Sequence, residues 1–480
     1  MKRIFWGIMS LILLTFVACK AKEMPQNTGV YGGTDGLDLF LSEIQPVKEP
    51  WTNEERAEHA SYLQPETYEH IFTKEEVEEF LKPRDIPEKL STKQAAEDVN
   101  QVFQLLAYGY GGYTYFGGDE IFLPLRDNIL NELETVDEIS TYDLWKLLWE
   151  SLSPVIVDRH FSITTDDANT FVANREYSQY TYFVRNLYFD DPTGIDSQYV
   201  KHTIGPDGAI TYCLATVCSD METLPKSMTI KGVEHTLTWS YAEPIQRETE
   251  NIENIFSETT AGHGQLPVLA NHSLAGDDNR LQKFASTAYT YRKEPLMVFD
   301  LRGNTGGVDN YANRWMKNFC GKDILPKVLF SKKYSNIYTV ISGENNNKEQ
   351  DTWKTTIDSA GTVWETDTLM FVLLDGNVAS PGEYFTHMLS LGKRVILVGS
   401  NTMGCLTFGN VPTLYLPNSG IAIRLGTSIA FYDAIENRDG VGYSPDLWVE
   451  PKDSLNAVVR LCKYYELIES KVSIWDLISN

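Results

Sequence analysis

Three short apolar segments in the second half of the chain restrict the folds that the chain can adopt. They span residues 296–299, 369–374 and 395–398, and the first two are followed by glycine-containing turns and helical patterns. Strands that are apolar on both faces and alternate with helices are typical of a mostly parallel sheet covered by helices on both sides. We therefore predict an α/β core over residues 286–480.

The sequence before this core divides into three parts of different pattern. Residues 20–91 are rich in proline and glutamate, which predicts a tether followed by short helices. Residues 92–165 repeat apolar side chains at helical spacing, so we predict an N-terminal helical domain there. Residues 166–285 alternate apolar and polar side chains in short runs broken by Gly and Pro, which predicts a β-rich segment.

The N-terminus has the form of a bacterial lipoprotein signal peptide over residues 1–19. Lys2 and Arg3 precede an apolar run over residues 4–17, which is too short for a comfortable membrane span. Ala18 stands directly before Cys19, as in the lipobox whose cysteine is diacylated and becomes the mature N-terminus. We expect an exported protein anchored by lipidated Cys19 on the periplasmic or cell-surface side of a bacterial membrane. The alternative is a plain signal peptide that happens to contain Cys19.

Charge and cysteine content argue against nucleic-acid binding, a disulfide framework and metal binding. The net charge of −25 disfavours a nucleic-acid partner, because phosphate binding needs a basic face. The cysteines other than Cys19 are scattered and odd in number, which is not a disulfide framework. Cys213 and Cys218 could pair locally, although free thiols are the better expectation. No cysteine has metal-ligand spacing with a histidine, so we predict neither a metal nor a cofactor.

Candidate functional residues stand where the apolar strands end. The glycines of residues 300–307 allow a tight turn whose N–H groups can face an anion, or they serve the turn alone. Ser380 stands at a helix start, where it is either an N-cap with Pro381 and Glu383 or a nucleophile favoured by the helix N-terminus. His387 is two turns along the same helix, roughly 10 Å away, and cannot reach Ser380.

Four ordered motifs resemble the tail-specific (C-terminal processing) proteases, a family that includes tricorn protease. The motifs are Asp-Leu-Arg-Gly-Asn with Gly-Gly at 300–307, Ala-Ser-x-x-Glu at 379–383, Val-Gly and a short loop at 398–409, and Gly-Val with Pro-Asp at 440–447. The segment that ends in Asp158-Arg159-His160 also resembles the N-terminal part of that family. The resemblance implies a ClpP/crotonase-like α/β catalytic core with Ser380 as the nucleophile.

The resemblance points to the tricorn-like subgroup for the remaining site residues. The processing proteases use a Ser–Lys dyad, but Cys405 occupies the lysine position here. The tricorn-like subgroup uses a histidine and a glutamate, which His160 and Glu436 match. His160 would then take the proton from Ser380, with an acidic residue supporting it. Backbone N–H groups at Gly306 or Gly307 would stabilise the oxyanion. We also expect Cys405 to line the cleft without acting as a nucleophile.

Pro381 departs from the family pattern at the residue after the nucleophile. That residue normally supplies a second oxyanion N–H, which proline lacks. Loss of one donor costs on the order of a hundred- to a thousandfold in rate. Despite this departure, the resemblance implies a serine peptidase that acts on peptides or unfolded proteins. The alternatives are a catalytically impaired surface lipoprotein that binds a partner and an acyl-CoA enzyme of the crotonase type, which the export signal disfavours.

Overall fold

The computed structural model describes residues 30–44, 52–62, 72–165, 179–246, 255–324, 328–343, 352–358, 363–432 and 439–469. The predicted signal peptide, Cys19 and Glu436 lie outside these ranges. Within them, no helix is both long and apolar enough to cross a membrane.

The N-terminal part of the described chain is mainly helical. Its elements are α1 (Gly36–Glu43), α2 (Asn53–Ser61), α3 (Lys74–Phe80), β1 (Lys89–Ser91), α4 (Thr92–Gly109), α5 (Gly118–Leu133), β2 (Glu138–Ser140) and α6 (Thr141–Leu152). Side chains set two of the helix starts, because Ser91 accepts the Gln94 N–H before α4 and Ser140 accepts the Asp143 N–H before α6. The apolar faces of α4, α5 and α6 share one core.

A β-rich part follows. Its elements are β3 (Ser162–Thr164), β4 (Tyr180–Phe189), β5 (Val200–Ile204), β6 (Ile210–Cys218), β7 (Ser227–Ile230), β8 (Val233–Thr236) and β9 (Trp239–Tyr241). Strands β5, β6, β4 and β9 form an antiparallel sheet in that order, and β7 pairs with β8. The described cysteines are free, Cys213 and Cys218 included.

The C-terminal half contains the main sheet. Its elements are β10 (Phe256–Ala261), β11 (Leu266–Asn271), α7 (Asp278–Tyr291), β12 (Leu296–Asp300), α8 (Asp309–Cys320), β13 (Val328–Tyr334), α9 (Asn336–Ser342), β14 (Thr352–Asp358), β15 (Leu369–Leu374), α10 (Pro381–Ser390), β16 (Val395–Gly399), β17 (Phe408–Gly409), β18 (Thr413–Tyr415), β19 (Ala422–Arg424), β20 (Ser428–Tyr432), β21 (Leu447–Trp448) and α11 (Ser454–Tyr464). The strand order is β10-β11-β12-β15-β16-β21, and every neighbouring pair except β10–β11 is parallel.

The main sheet confirms the predicted α/β fold class. Strands β12, β15 and β16 are buried along their whole length, as their uniformly apolar sequences require. Side chains from α7, α8 and α10 pack on one face of the sheet, and those from α11 pack on the other. Strands β10 and β11 come from the end of the range predicted to be β-rich, and they extend this sheet. A second sheet of order β14-β13-β20-β17 was not predicted.

A hairpin from the C-terminal half completes the core of the helical part. Strands β18 and β19 pair with each other, and β19 also pairs with β3. Leu414 and Ile423 of this hairpin are buried in one cluster with Val102 and Leu106 of α4. The helical part and the C-terminal half therefore share a hydrophobic core. Strand β3, which follows α6, joins the same hairpin through β19.

Candidate active site

Ser380 occupies a strained turn between β15 and α10. Its backbone has φ 53° and ψ −123°, which an L-residue adopts at a cost of about 1–3 kcal/mol. Its side chain does not cap α10. The capping interpretation of Ser380 and Glu383 is therefore wrong, and the hydroxyl is available for other contacts.

Hydrogen bonds on both sides hold this turn in place. The Ala379 N–H donates to the carbonyl of Asn304 at 3.0 Å, and the Met403 N–H donates to the carbonyl of Val378 at 2.8 Å. After the turn, the N–H groups of residues 383 and 384 both donate to the carbonyl of Ser380. The glycine turn after β12 and the loop after β16 thus clamp the segment, so the strain is maintained by its neighbours.

His160 lies against the Ser380 hydroxyl. Its Nε2 is 3.0 Å from Ser380 Oγ, although the two residues are 220 positions apart in sequence. The side chain is buried, and its own backbone N–H donates to Asp158 Oδ1 at 2.7 Å. The structure therefore brings together the histidine and the serine that the sequence singled out, at a distance suited to proton transfer.

The buried carboxyl group of Asp158 lies behind His160, and Asp439 lies near Asp158. Asp158 Oδ1 is 3.7 Å from His160 Nδ1, and Asp158 Oδ2 accepts a hydrogen bond from the Tyr110 hydroxyl at 2.9 Å. Asp439 accepts the N–H groups of residues 406 and 407. Burial and the neighbouring Asp158 raise the pKa of Asp439 well above its usual range. The fold therefore favours the neutral form of the Asp439 carboxyl. Glu436, the acid that the resemblance implied, lies outside the described residues.

The glycine turn after β12 offers one oxyanion donor. The Gly306 N–H already donates to the side-chain oxygen of Asn304 at 2.9 Å. The Gly307 N–H has no hydrogen-bond partner among the described residues, and Gly307 lines the same cleft as Ser380. Of the two predicted donors, the geometry therefore favours Gly307. Gly307 has φ 142°, and a Cβ there would meet the Leu274 carbonyl carbon at 2.1 Å, so only glycine fits.

The residues after Ser380 supply no evident second donor. Pro381 has no N–H, and the Gly382 N–H donates to the carbonyl of Ala379 at 2.8 Å. Gly382 therefore does not replace the donor that Pro381 lacks in this conformation. The oxyanion site rests on Gly307 alone among these residues.

A cleft of about 980 Å³ opens in front of Ser380 and His160. Cys405 lines it, and burial together with the nearby Glu383 raises the pKa of its thiol well above the usual range. A neutral thiol is a weak nucleophile, in agreement with the role expected for Cys405. Asp309 also faces the cleft. It is accessible to solvent yet surrounded by protein, and this partial desolvation raises its pKa to about 6.

Several positioning residues were not identified from the sequence. Asp158 stands two positions before His160, and this spacing was the available signal for its role. Asn304 lies inside a quoted motif, yet its part in fixing the glycine turn depends on contacts with Asn271, to whose side-chain oxygen it donates at 2.6 Å. Glu383 accepts the Gly404 and Cys405 N–H groups at 2.8 and 2.7 Å, contacts that only the tertiary structure reveals.

Comparison with known proteins finds a family match in the C-terminal half of the chain. Residues 268–449 match the model of peptidase family S41. No curated protein matches the chain. Among solved structures, mature CPAF complexed with lactacystin is 14% identical over 78% of this chain and 99% of that chain, with a TM-score of 0.43. A lipoprotein from Streptococcus agalactiae is 13% identical over 79% and 99%, with a TM-score of 0.36. The photosystem II D1 C-terminal processing protease is 14% identical over 76% and 96%, with a TM-score of 0.36.

Proposed function

Because residues 268–449 form a peptidase family S41 domain, we propose that the chain is a serine peptidase with Ser380 as its nucleophile and His160 as its base. The contact between His160 Nε2 and Ser380 Oγ, made at a strained strand-to-helix turn, carries the proposal. A base within hydrogen-bond reach of the hydroxyl is what activates a serine, and strained backbone is concentrated at functional sites.

The reaction follows from this arrangement. His160 Nε2 removes the Ser380 proton as Oγ attacks the carbonyl carbon of a peptide bond. The tetrahedral oxyanion accepts a hydrogen bond from the Gly307 N–H. The imidazolium then protonates the leaving amine, and an acyl-enzyme remains. A water molecule deprotonated by His160 hydrolyses the ester and releases the second product.

Asp158 is the acid that we assign to His160. Its charge favours the imidazolium that forms when Ser380 loses its proton. The contact of 3.7 Å to Nδ1 is longer than a hydrogen bond, and such contacts commonly tighten when substrate binds. Glu436, the acid that the resemblance implies, is the alternative for this part.

We place this activity outside the cytoplasm. The N-terminal sequence supports export and a lipid anchor at Cys19, and the acidic composition suits a soluble domain held at a membrane surface. Peptides and unfolded proteins are the proposed substrates, because the cleft beside Ser380 is open and large enough for an extended chain.

Covalent labelling tests the proposed nucleophile. A fluorophosphonate probe should label the purified protein, and both Ser380→Ala and His160→Ala should abolish the labelling. The Cys405→Ala variant is the matched control, since it removes another side chain of the cleft and should label normally. Labelling that persists in Ser380→Ala, or that depends on Cys405, would rule out the assignment.

A binding protein of the same fold is the second candidate, and Pro381 is the observation that favours it. With Gly306, Gly382 and Pro381 unable to donate, the Gly307 N–H is the one oxyanion donor left among these described residues. Such a protein would bind peptides in the cleft without hydrolysing them. Peptide binding without fluorophosphonate labelling or turnover, in a protein that contains both Ser380 and His160, would select this alternative.

A further inference from the structure

A second cavity, of about 660 Å³, lies on the other side of the His160 segment. Its walls come from the antiparallel β4–β9 sheet, from the segment after β9 that includes Glu243, and from two loops of the α/β core, at residues 376–377 and 400–403. Tyr180 and Tyr241 line one wall, with their ring centroids 5.6 Å apart. The proposed peptidase reaction makes no use of this cavity.

Arg159 gives the cavity a buried positive charge. The residue is only 8% exposed, and its one described hydrogen bond runs from Nη1 to the carbonyl of Met403 at 2.8 Å. Its Nε is buried without a partner, and it forms no ion pair with any carboxylate in the described part of the chain. Arginine stays charged in proteins, and a buried charge is costly unless an anion meets it. Among the described residues Arg159 therefore lacks an anionic partner, and an anion bound in the cavity would supply one.

Asn401 adds a second unsatisfied group to the same cavity. The residue is 3% exposed, and its Nδ2 donates to the carbonyl of Val441 at 2.9 Å. This hydrogen bond fixes the amide orientation and leaves Oδ1, which is buried, without a donor among the described residues. A ligand that completes the site would therefore bring an N–H group as well as an anion.

We propose that this cavity is a binding site for a carboxylate that has a neighbouring N–H donor, with Arg159 pairing with the carboxylate and Asn401 Oδ1 accepting the N–H. Arginine presents a planar set of donors that matches the two oxygens of a carboxylate, so Arg159 is well suited to bind this ligand. Two peptide groups have this chemistry, namely the free C-terminus and an Asp or Glu side chain beside its own backbone N–H. The tyrosine wall provides an apolar surface for the side chain next to the carboxylate.

The position of the cavity links it to the catalytic cleft. Arg159 directly precedes His160, and Met403, whose carbonyl accepts the Arg159 hydrogen bond, lines both the cavity and the cleft. An anion that pairs with Arg159 therefore binds one residue away from the proposed base. The site itself requires no catalysis and stands independently of the proposed peptidase function.

Calorimetric binding to the full chain carrying Ser380→Ala tests the proposal without hydrolysis. Three acetylated peptides of equal length are compared: one with a free C-terminus and no acidic residue, one amidated with a single internal Glu, and one amidated with no acid. We expect at least one carboxylate peptide to bind at least tenfold more tightly than the neutral peptide. The stronger of the two identifies the source of the carboxylate. Equal binding of all three, or no binding, would show that the cavity holds only water.

Two cavity variants and a matched control assign the binding to this site. Arg159→Gln should weaken binding of the carboxylate peptide at least tenfold. Asn401→Asp should weaken it by a similar factor, because it adds a repelling charge with little change of shape. Arg185→Gln is the control, since Arg185 is a cation on the adjacent strand β4 that pairs with Glu450 outside the cavity. Unchanged affinity in Arg159→Gln and Asn401→Asp would overturn the proposal. Fluorophosphonate labelling of variants that retain Ser380 reports separately on the peptidase function.

Discussion

Single residues set the chemistry that this fold can perform. Ser380 keeps an unfavourable backbone conformation because the carbonyl of Asn304 and the Met403 N–H fix its flanking residues. His160 reaches it from a segment whose conformation Asp158 sets through the His160 backbone N–H. The geometry around one hydroxyl is therefore the product of three separate loops.

Replacing Asp158 by Asn should lower peptidase turnover by roughly a hundredfold or more, because the imidazolium loses its nearest negative charge. Steady-state kinetics on an unfolded protein substrate would measure the effect. Asp439→Asn is the matched control, since burial and the neighbouring Asp158 raise the pKa of that carboxyl and so favour its neutral form. An equal loss in both variants would contradict the role of Asp158, and a larger loss in Glu436→Gln would transfer that role to Glu436.

Replacing Pro381 by Ala should raise kcat/KM by a factor of ten or more, because it restores an N–H at the start of α10. One oxyanion donor contributes roughly 3 kcal/mol to the transition state. The cost to the fold should be small, since alanine is tolerated in the first helical turn. The increase must disappear in the Pro381→Ala, Ser380→Ala double variant. A decrease in kcat/KM would mean that another group already fills the oxyanion site.

Contacts between elements decide where the site residues stand. Glu383 on α10 accepts hydrogen bonds from the loop after β16, at Thr402, Gly404 and Cys405. This carboxylate joins the helix that begins at the nucleophile to the loop that lines the cleft. Asp446, just before β21, accepts the N–H of Leu397 in β16. The carboxyl groups of Glu383 and Asp446 thus connect neighbouring elements of the α/β core.

Glu383→Gln should destabilise the fold by about 3 kcal/mol, because the amide leaves buried N–H groups facing another donor. Chemical denaturation would measure the free energy of unfolding. Glu365→Gln, at an exposed ion pair with Lys393, is the control and should change stability far less, because solvent screens an exposed pair. If both variants behave alike, Glu383 does not anchor the loop.

Asp446 should make stability fall as the pH rises. Burial raises its pKa from 3.8 to about 7 in the folded protein, so the fold favours the neutral carboxyl. The stabilisation is complete below pH 3.8 and is lost progressively as the pH rises to about 7. Asp446→Asn should therefore stabilise the protein at pH 8 more than at pH 4, by an amount on the order of 4 kcal/mol. The exposed Asp190→Asn variant should show no such pH-dependent difference between its stability and that of the natural protein.

At the scale of the whole molecule, the helical part and the C-terminal half depend on each other. The hairpin of β18 and β19 fills the core of the helical part, and the segment that follows α6 delivers His160 to the α/β core. The proposed active site therefore forms only when these parts have packed together. Contacts of such long sequence separation are intrinsically slow to form.

The proposed lipid anchor also belongs to the whole molecule. Cys19→Ala should move the protein from the membrane fraction of its bacterial host to the soluble or secreted fraction, because the thiol that would be acylated is lost. Cell fractionation with an antibody would measure the distribution. Cys462→Ala is the control, since that thiol is buried in the core. Unchanged membrane association of Cys19→Ala would contradict lipidation at this residue.

The sequence by itself determined the α/β class and the positions of β12, β15 and β16. A short run of apolar side chains predicts a buried strand without information from distant parts of the chain. It also singled out Ser380 and His160, since sequence motifs can be recognised without knowledge of the three-dimensional structure. Only the tertiary structure decided that Gly306 is already hydrogen-bonded while Gly307 is not, that Asp158 stands behind His160, and that Arg159 and Asn401 face one cavity. These facts depend on which groups meet across loops distant in sequence, and no local pattern encodes the partner of a hydrogen bond.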